Sequence, residues 1–89
     1  MANEFKIKFY SDPGHGWGAV KRKVLIDLGI ADKISPFSYQ KGDTVYLEEV
    51  CDLSSLVTAL AVKGVVVKYD EKHTNARSPI RSYECFRVI

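Results

Sequence analysis

Long apolar runs, clustered cysteines and a large excess of charge are all missing from this 89-residue chain. No stretch approaches the ~20 consecutive apolar residues that cross a bilayer, and the N-terminus lacks the apolar core of a secretory signal. We therefore expect a protein of the cytoplasm with no membrane partner. The net charge of +2 is modest beside the basic footprint of nucleic-acid-binding domains, which argues against nucleic acid as the main partner.

The chain contains two cysteines, Cys51 and Cys85, and two histidines. Neither cysteine belongs to a Cys-x-x-Cys or Cys/His spacing of the kind that binds zinc. We expect both thiols to be buried and reduced, as in other cytoplasmic proteins. No metal or other cofactor is predicted. No catalytic residue is assigned, because the spacing of the candidate groups compels no reaction, and the sequence predicts a protein that is not an enzyme.

The length fits one domain over residues 1–89. Hydrophobic residues make up 46% of the chain and charged residues 27%, which is typical of a globular protein and unlike a disordered one. The charge is uneven, with balances of +3 over residues 1–41, −3 over residues 42–64 and +2 over residues 65–89. We expect a patterned surface with an acidic middle and basic ends.

Hydrophobic periodicity and turn residues predict the order of elements. Two short helices cannot bury themselves against each other, so each must lay its apolar side on a sheet. The predicted fold is α+β, a single mostly antiparallel β-sheet with two short helices packed on it. The predicted elements are a strand over Glu4–Tyr10, a loop over Ser11–Gly18, a helix over Ala19–Ile30, a loop over Ala31–Pro36, a hairpin with strands over Phe37–Gln40 and Thr44–Glu49, a helix from Asp52 to Gly64, a strand over Val65–Asp70, a loop over Glu71–Pro79 and a strand over Ile80–Val88.

Several details of these elements can be checked against a structure. Asp52 is predicted to cap its helix, and Gly29 and Gly64 suit the positions after helix ends, where φ is positive. The side of the second helix that faces the sheet should carry Leu53, Leu56, Val57, Leu60 and Ala61. The run of three valines that opens the next strand suits burial on both faces.

The loop after the first strand is the most unusual local feature. Its glycines let a backbone approach a ligand closely, and successive amides in such turns can hold an anion. Asp12, His15 and Trp17 are its candidate binding residues, with His15 as donor, base or ligand and Trp17 as a stacking surface. The alternative is a structural loop in which Trp17 fills the edge of the core and His15 is solvated.

A second candidate site lies in the polar segment before the last predicted strand. His73, Asn75, Arg77, Arg81 and Tyr83 are assigned to binding there. The two arginines could hold a phosphate or carboxylate, because a guanidinium donates hydrogen bonds in a planar fork. The alternative is a solvated connection between two strands.

Ordered motifs over Phe9–Tyr83 give the chain a resemblance to known proteins. They are Ser-Asp-Pro-Gly-His-Gly-Trp, then Leu-Gly-Ile-Ala-Asp-Lys-Ile-Ser-Pro-Phe-Ser-Tyr-Gln-Lys-Gly-Asp, Val-Tyr-Leu-Glu-Glu and Cys-Asp-Leu. In this order they resemble small uncharacterised accessory proteins of tailed bacteriophages and prophages. The resemblance implies a protein made in the bacterial cytoplasm and favours action by binding, and it implies no reaction.

Three functions remain open at this point. The first is a binding module that inhibits a host or anti-phage defence protein, with Trp17 as an aromatic anchor. The second is a binder of a small nucleotide signal, which needs the loops of His15 and Arg77 to meet at one end of the sheet or across a homo-oligomer. The third is nucleic-acid binding through Lys6, Lys8, Tyr10 and the basic triplet 21–23.

Overall fold

The structure is a computed structural model that describes residues 3–76 and 78–87. It confirms an α+β fold in which one sheet carries two helices. No helix in these two ranges is long and apolar enough to cross a membrane. The elements are β1 (Asn3–Ser11), β2 (Gly16–Lys21), α1 (Arg22–Asp27), β3 (Tyr39–Lys41), β4 (Thr44–Glu48), α2 (Asp52–Val62), β5 (Val65–His73) and β6 (Glu84–Cys85), with single 3-10 turns at Ala31–Lys33 and Pro79–Ser82.

The sheet has six strands in the order β5-β1-β2-β4-β3-β6. Every neighbouring pair is antiparallel except β1 and β5, so the prediction of a mostly antiparallel sheet is confirmed. A parallel neighbour needs a crossover connection, and α2 supplies it between β4 and β5. The predicted hairpin is β3–β4, although β3 begins two residues later than expected.

Both helices lie on the same face of the sheet. Leu25 of α1 and Leu56 of α2 are fully buried in one core with Ile7 of β1 and Val45 of β4. Because side chains alternate along a strand, the intervening residues point to the opposite face, which no helix covers among the described residues. We call this second surface the open face.

Strand β2 replaces the end of the predicted loop and the start of the predicted helix, so both expectations were wrong there. Its backbone pairs with β1 on one side and β4 on the other, which overrides the local helical pattern. A Cβ on Gly18 would lie 2.7 Å from Leu53 Cδ1, so this glycine permits close packing of α2 and makes no turn. The positive φ predicted at Gly29 and Gly64 is confirmed, at 72° and 76°.

The start of α2 differs from the prediction. Asp52 is its first residue and caps nothing; its buried carboxylate accepts hydrogen bonds from the hydroxyls of Ser35 and Ser38. The preceding strand supplies the cap, because the carboxylate of Glu48 accepts from the amides of residues 50–52. Leu53, Leu56 and Leu60 are buried as predicted and Val57 is half-buried, whereas Ala61 is exposed.

The C-terminal third departs furthest from the prediction. Strand β5 continues to His73 through the start of the predicted loop, and as the edge strand it leaves Val66 45% exposed instead of buried. The predicted last strand begins as a 3-10 turn, because Ser78 Oγ accepts from the amide of Ile80 and Pro79 favours a first helical turn. Cys51 and Cys85 are both exposed, so the expectation of buried thiols was also wrong.

Packing of α2 on the sheet gives a direct stability test. We expect Leu56→Ala to lower the free energy of unfolding by roughly 2–5 kcal/mol, because it empties a fully buried site. Val62→Ala, in the same helix at a residue 83% exposed, should change it by less than about 0.5 kcal/mol. Urea unfolding followed by circular dichroism measures both. Equal losses in the two variants would show that α2 does not pack as described.

Candidate binding face

Asp12 organises the end of the sheet where the two predicted sites meet. Its Oδ1 accepts from the amides of Gly14 and His15 at 3.0 and 2.9 Å, which closes the turn between β1 and β2. Its Oδ2 accepts from the amide of Ser78 at 3.0 Å, 66 residues along the chain. The loops around His15 and Ser78 therefore lie at the same end of the sheet, as the small-ligand hypothesis requires.

Arg81 completes this arrangement with two further hydrogen bonds. Its Nε and one terminal nitrogen donate to the two oxygens of Asp12 at 2.6 and 2.9 Å. The Asp12 side chain is 1% exposed and that of Arg81 27% exposed. The Arg81 hydrogen bonds, joined by those from the amides of residues 78, 15 and 14, hold the pKa of Asp12 well below its usual range despite its burial.

These contacts change the roles expected for Asp12, Trp17 and Arg81. The Asp12 carboxylate accepts five hydrogen bonds and is not available to a base, and the Nε of Arg81 and one of its terminal nitrogens are directed at Asp12 instead of at a phosphate. Trp17 is 3% exposed and lies under the Arg81 guanidinium, 5.6 Å from its ring centroid, so it cannot stack on a ligand as predicted. Trp17 is buried, as the alternative expected, but it lies on the open-face side of β2 opposite Tyr10 and Glu48 and not in the core cluster. His15 is exposed, with its ring 6.1 Å from that of Trp17.

The second predicted site is arranged around His73 at the end of β5. Its Nδ1 lies 2.9 Å from Ser11 Oγ and its Nε2 lies 3.2 Å from Asn75 Oδ1, both on the surface. Arg77, the remaining predicted phosphate ligand in this segment, lies outside the described residues. Tyr83 packs on Tyr46 at the centre of the open face and lines one cavity together with His73.

A cluster of tyrosines occupies the centre of the open face. The ring centroid of Tyr46 lies 6.1 Å from that of Tyr10 and 5.2 Å from that of Tyr83. Partial burial raises the pKa of Tyr46, and the phenols of Tyr83 and Tyr10 raise it further, so its hydroxyl stays protonated at neutral pH. We call these three residues the tyrosine cluster.

Two depressions flank the tyrosine cluster. A cavity of about 240 Å³ lies between the cluster, Lys72, His73 and the turn at Ile80. A second, of about 270 Å³, continues across the sheet from Tyr10 and Tyr46 to Lys8 and Lys21. Together they form a shallow trough with phenol rings on its floor and ammonium groups along its sides.

Lysines dominate the charged groups of the open face. The pairing registers place six lysines and three acids on this side of the strands, a balance of +3. Among the acids, Glu48 is engaged at the start of α2, where its amide hydrogen bonds outweigh the effect of partial burial and lower its pKa. The lysines are Lys6, Lys8, Lys21, Lys41, Lys68 and Lys72.

Other members of the basic triplet point elsewhere. Arg22 donates to the side chain of Gln40 and to the carbonyl of Arg87, and its guanidinium lies over the Phe86 ring. Lys23 pairs with Asp27 at 2.7 Å on the outer side of α1. Only Lys21 of the triplet therefore reaches the open face. Within residues 3–76 and 78–87, no group of three His, Cys, Asp or Glu residues is placed to hold a metal ion.

Sequence reasoning missed Tyr46 and found Tyr10 only as part of a basic strand. The alternation that buries Val45 and Leu47 was the available signal, because it turns Tyr46 to the face opposite the core. The same alternation placed Lys6, Lys8 and Tyr10 together, and the structure confirms that grouping. Nothing local indicates that residues 10, 46 and 83 meet, since only the sheet brings them together.

The pairing of Asp12 with Arg81 predicts a specific acid sensitivity. A carboxyl with a lowered folded-state pKa adds stability above its unfolded pKa, near 4, and loses it as pH falls towards the folded value. Asp12→Asn should therefore destabilise the protein at pH 7. The difference in stability between this variant and the wild type should become smaller as pH falls below about 4. Asp27→Asn, at an exposed pair, is the matched control and should have little effect at any pH.

Thermal unfolding measured between pH 7 and pH 2 tests this expectation. A constant gap between Asp12→Asn and the wild type over that range would mean that the Asp12 carboxyl is not held ionised by Arg81.

No protein-family model, curated protein or solved structure matches this chain. Its function therefore has to be inferred from the geometry of its own residues. The trough of the open face, with its tyrosine cluster and surrounding lysines, is the feature that most needs a functional explanation.

Proposed function

We propose that this chain is a non-enzymatic binding protein that docks its open face onto an acidic surface of another protein. In this proposal it is a phage accessory protein, made in the cytoplasm of the host cell. It acts there as an inhibitor of a host or anti-phage defence protein. The observation that carries the proposal is the tyrosine cluster surrounded by lysines on a sheet face that neither α1 nor α2 covers.

The shape and composition of the open face support a protein partner. Tyrosine supplies a large contact area with little conformational entropy to lose, and its hydroxyl can still bond to a polar group. Tyr10 and Tyr46 stand on the paired strands β1 and β4, which hold them in place, so binding need not order a loop at these two positions. A shallow trough suits a convex protein surface better than a deep pocket would.

The positive charge of the open face favours a partner with a negatively charged surface. Lys6, Lys8, Lys21 and Lys41 form no ion pair with any described residue, and Lys41 lies over the Tyr83 ring with its Nζ 4.9 Å from the centroid. Four cations on one side of a small domain attract an acidic surface and speed its encounter. The sequence resemblance to phage accessory proteins supports placing that surface on a bacterial target.

Charge reversal on the open face tests the proposal. The immobilised chain is used to retain proteins from bacterial lysate at physiological salt, and the retained proteins are quantified by mass spectrometry. Lys8→Glu combined with Lys21→Glu should reduce retention of the specific partner about tenfold or more. Lys33→Glu combined with Lys63→Glu changes the net charge equally on the helical side and should retain the partner as the wild type does.

Direct titration then decides the proposal with the purified partner. Saturable binding by the wild type and the helical-side variant, with loss in the open-face variant, would support it. The proposal fails if no protein is retained, or if the open-face variant retains the same proteins equally. Retention that nuclease treatment abolishes would show nucleic acid instead and would also contradict it.

A small nucleotide is a second candidate, favoured by the cavity beside the tyrosine cluster. Tyr83 and His73, both predicted as binding residues, line it together with Lys72. Its volume of about 240 Å³ is smaller than the ~300–1,000 Å³ of typical ligand pockets, so it would take one ring, with a phosphate directed to Lys72.

Thermal shift against signalling nucleotides tests this second candidate. A ligand at 100 times its dissociation constant should stabilise the protein by about 2.7 kcal/mol. Tyr83→Ala should abolish the shift, whereas His15→Ala, outside the cavity lining, should preserve it. No shift with any nucleotide, or an equal shift in Tyr83→Ala, removes the candidate.

A further inference from the structure

Strand β5 forms a long edge of the sheet. Its nine residues pair with β1 on one side, and no strand pairs with the other side within the described chain. Val66 and Tyr69 are 45% and 44% exposed along this edge. An extended edge with unpaired backbone groups is a template for another strand, unless its side chains repel the newcomer.

The charges of β5 are complementary to a second copy of β5. Tyr69 is the middle residue of Val65–His73, so an antiparallel pair centred on Tyr69 overlaps all nine residues of both strands. In that register Lys68 of each copy lies directly opposite Asp70 of the other. Both side chains belong to the open face, and opposite charges across a strand pair stabilise it.

Neighbouring registers are less favourable. In an antiparallel pair, directly opposed side chains point to the same face of the sheet. If both open faces are to lie on one side, the centre of the pair must therefore fall on a residue of β5 and not between two residues. A centre at Lys68 sets two lysines against each other, and a centre at Asp70 sets two aspartates against each other. A centre at Val67 leaves the residues after Tyr69 unpaired.

The present partners of these two residues do not prevent re-pairing. Lys68 Nζ lies 4.0 Å from Glu4 Oε2, and Asp70 Oδ2 lies 3.7 Å from Lys72 Nζ. All four side chains are between 42% and 64% exposed. Long ion pairs between exposed groups contribute little to stability, so they are easily exchanged for a cross-strand pair.

The geometry points to a symmetric homodimer joined through β5, with Tyr69 at the twofold axis and two Lys68–Asp70 pairs across it. The interface is isologous, and it closes the edge of both copies. Because the axis is perpendicular to the sheet, the two open faces become neighbours on one side of a continuous sheet. This inference is independent of what the open face binds.

A charge swap tests the register. Lys68→Asp and Asp70→Lys, made singly, set like charges opposite each other twice in the dimer and should weaken the dimer about tenfold or more. The double variant restores opposite charges and should recover dimer formation. The ion pairs to Glu4 and Lys72 are lost in the double variant as well, so their loss cannot explain recovery. Sedimentation equilibrium measures each dissociation constant, with Lys33→Asp as the control of equal charge change for Lys68→Asp.

Disulfide trapping tests the position of the axis. In a background of Cys51→Ser and Cys85→Ser, Tyr69→Cys places two thiols opposite each other within disulfide reach and should cross-link rapidly on mild oxidation. Glu71→Cys, on the same side of the strand, would lie roughly 13 Å from its counterpart and should not cross-link.

Three results would overturn the inference. They are a wild-type chain that sediments as a monomer at the highest concentration it tolerates, a dimer that the double variant fails to recover, and equal cross-linking of Tyr69→Cys and Glu71→Cys. Circular dichroism of each variant shows that it is folded before its association is compared.

Discussion

The five hydrogen bonds to the Asp12 carboxylate are the constraint on which the arrangement of the candidate binding face depends. They join a turn near the N-terminus to Ser78 and Arg81, and they hold the segment between these two residues against the open face. Trp17 and Ile80, each 3% exposed, are buried as a result, outside the main core. The cavity beside the tyrosine cluster exists because this segment is fixed there.

One-sided coverage of the sheet follows from the small size of the chain. Two short helices cover one face of a six-stranded sheet, and the chain offers no further helix for the other within its described part. A face left to water has to be amphipathic, and tyrosines and lysines meet this need because each joins an apolar body to a polar tip. The same composition suits recognition, so the needs of folding and the proposed binding are compatible on this face.

Several residues that the sequence indicates as candidates for binding serve mainly to support the open face. Asp12, Trp17 and Arg81 have the chemistry of a binding site, yet their groups are directed at one another and leave His73 and Tyr83 to face the cavity. Glycine was equally ambiguous, because Gly18 permits a close approach of α2 while Gly29 ends a helix. The type of a residue shows that its side chain can bind a ligand. The contacts in the folded protein decide whether that side chain is already bound to another residue.

The sequence by itself determined the fold class, the β3–β4 hairpin and the leucine stripe of α2. It also determined that Lys6, Lys8 and Tyr10 share one face of their strand. All of these depend on periodicity within one element, which neighbouring residues fix. Only the tertiary structure decided that Gly16–Lys21 is a strand, that β5 is an exposed edge and that Tyr10, Tyr46 and Tyr83 meet. Those features depend on pairing between segments that are distant along the chain, where backbone hydrogen bonds and burial outweigh local preference.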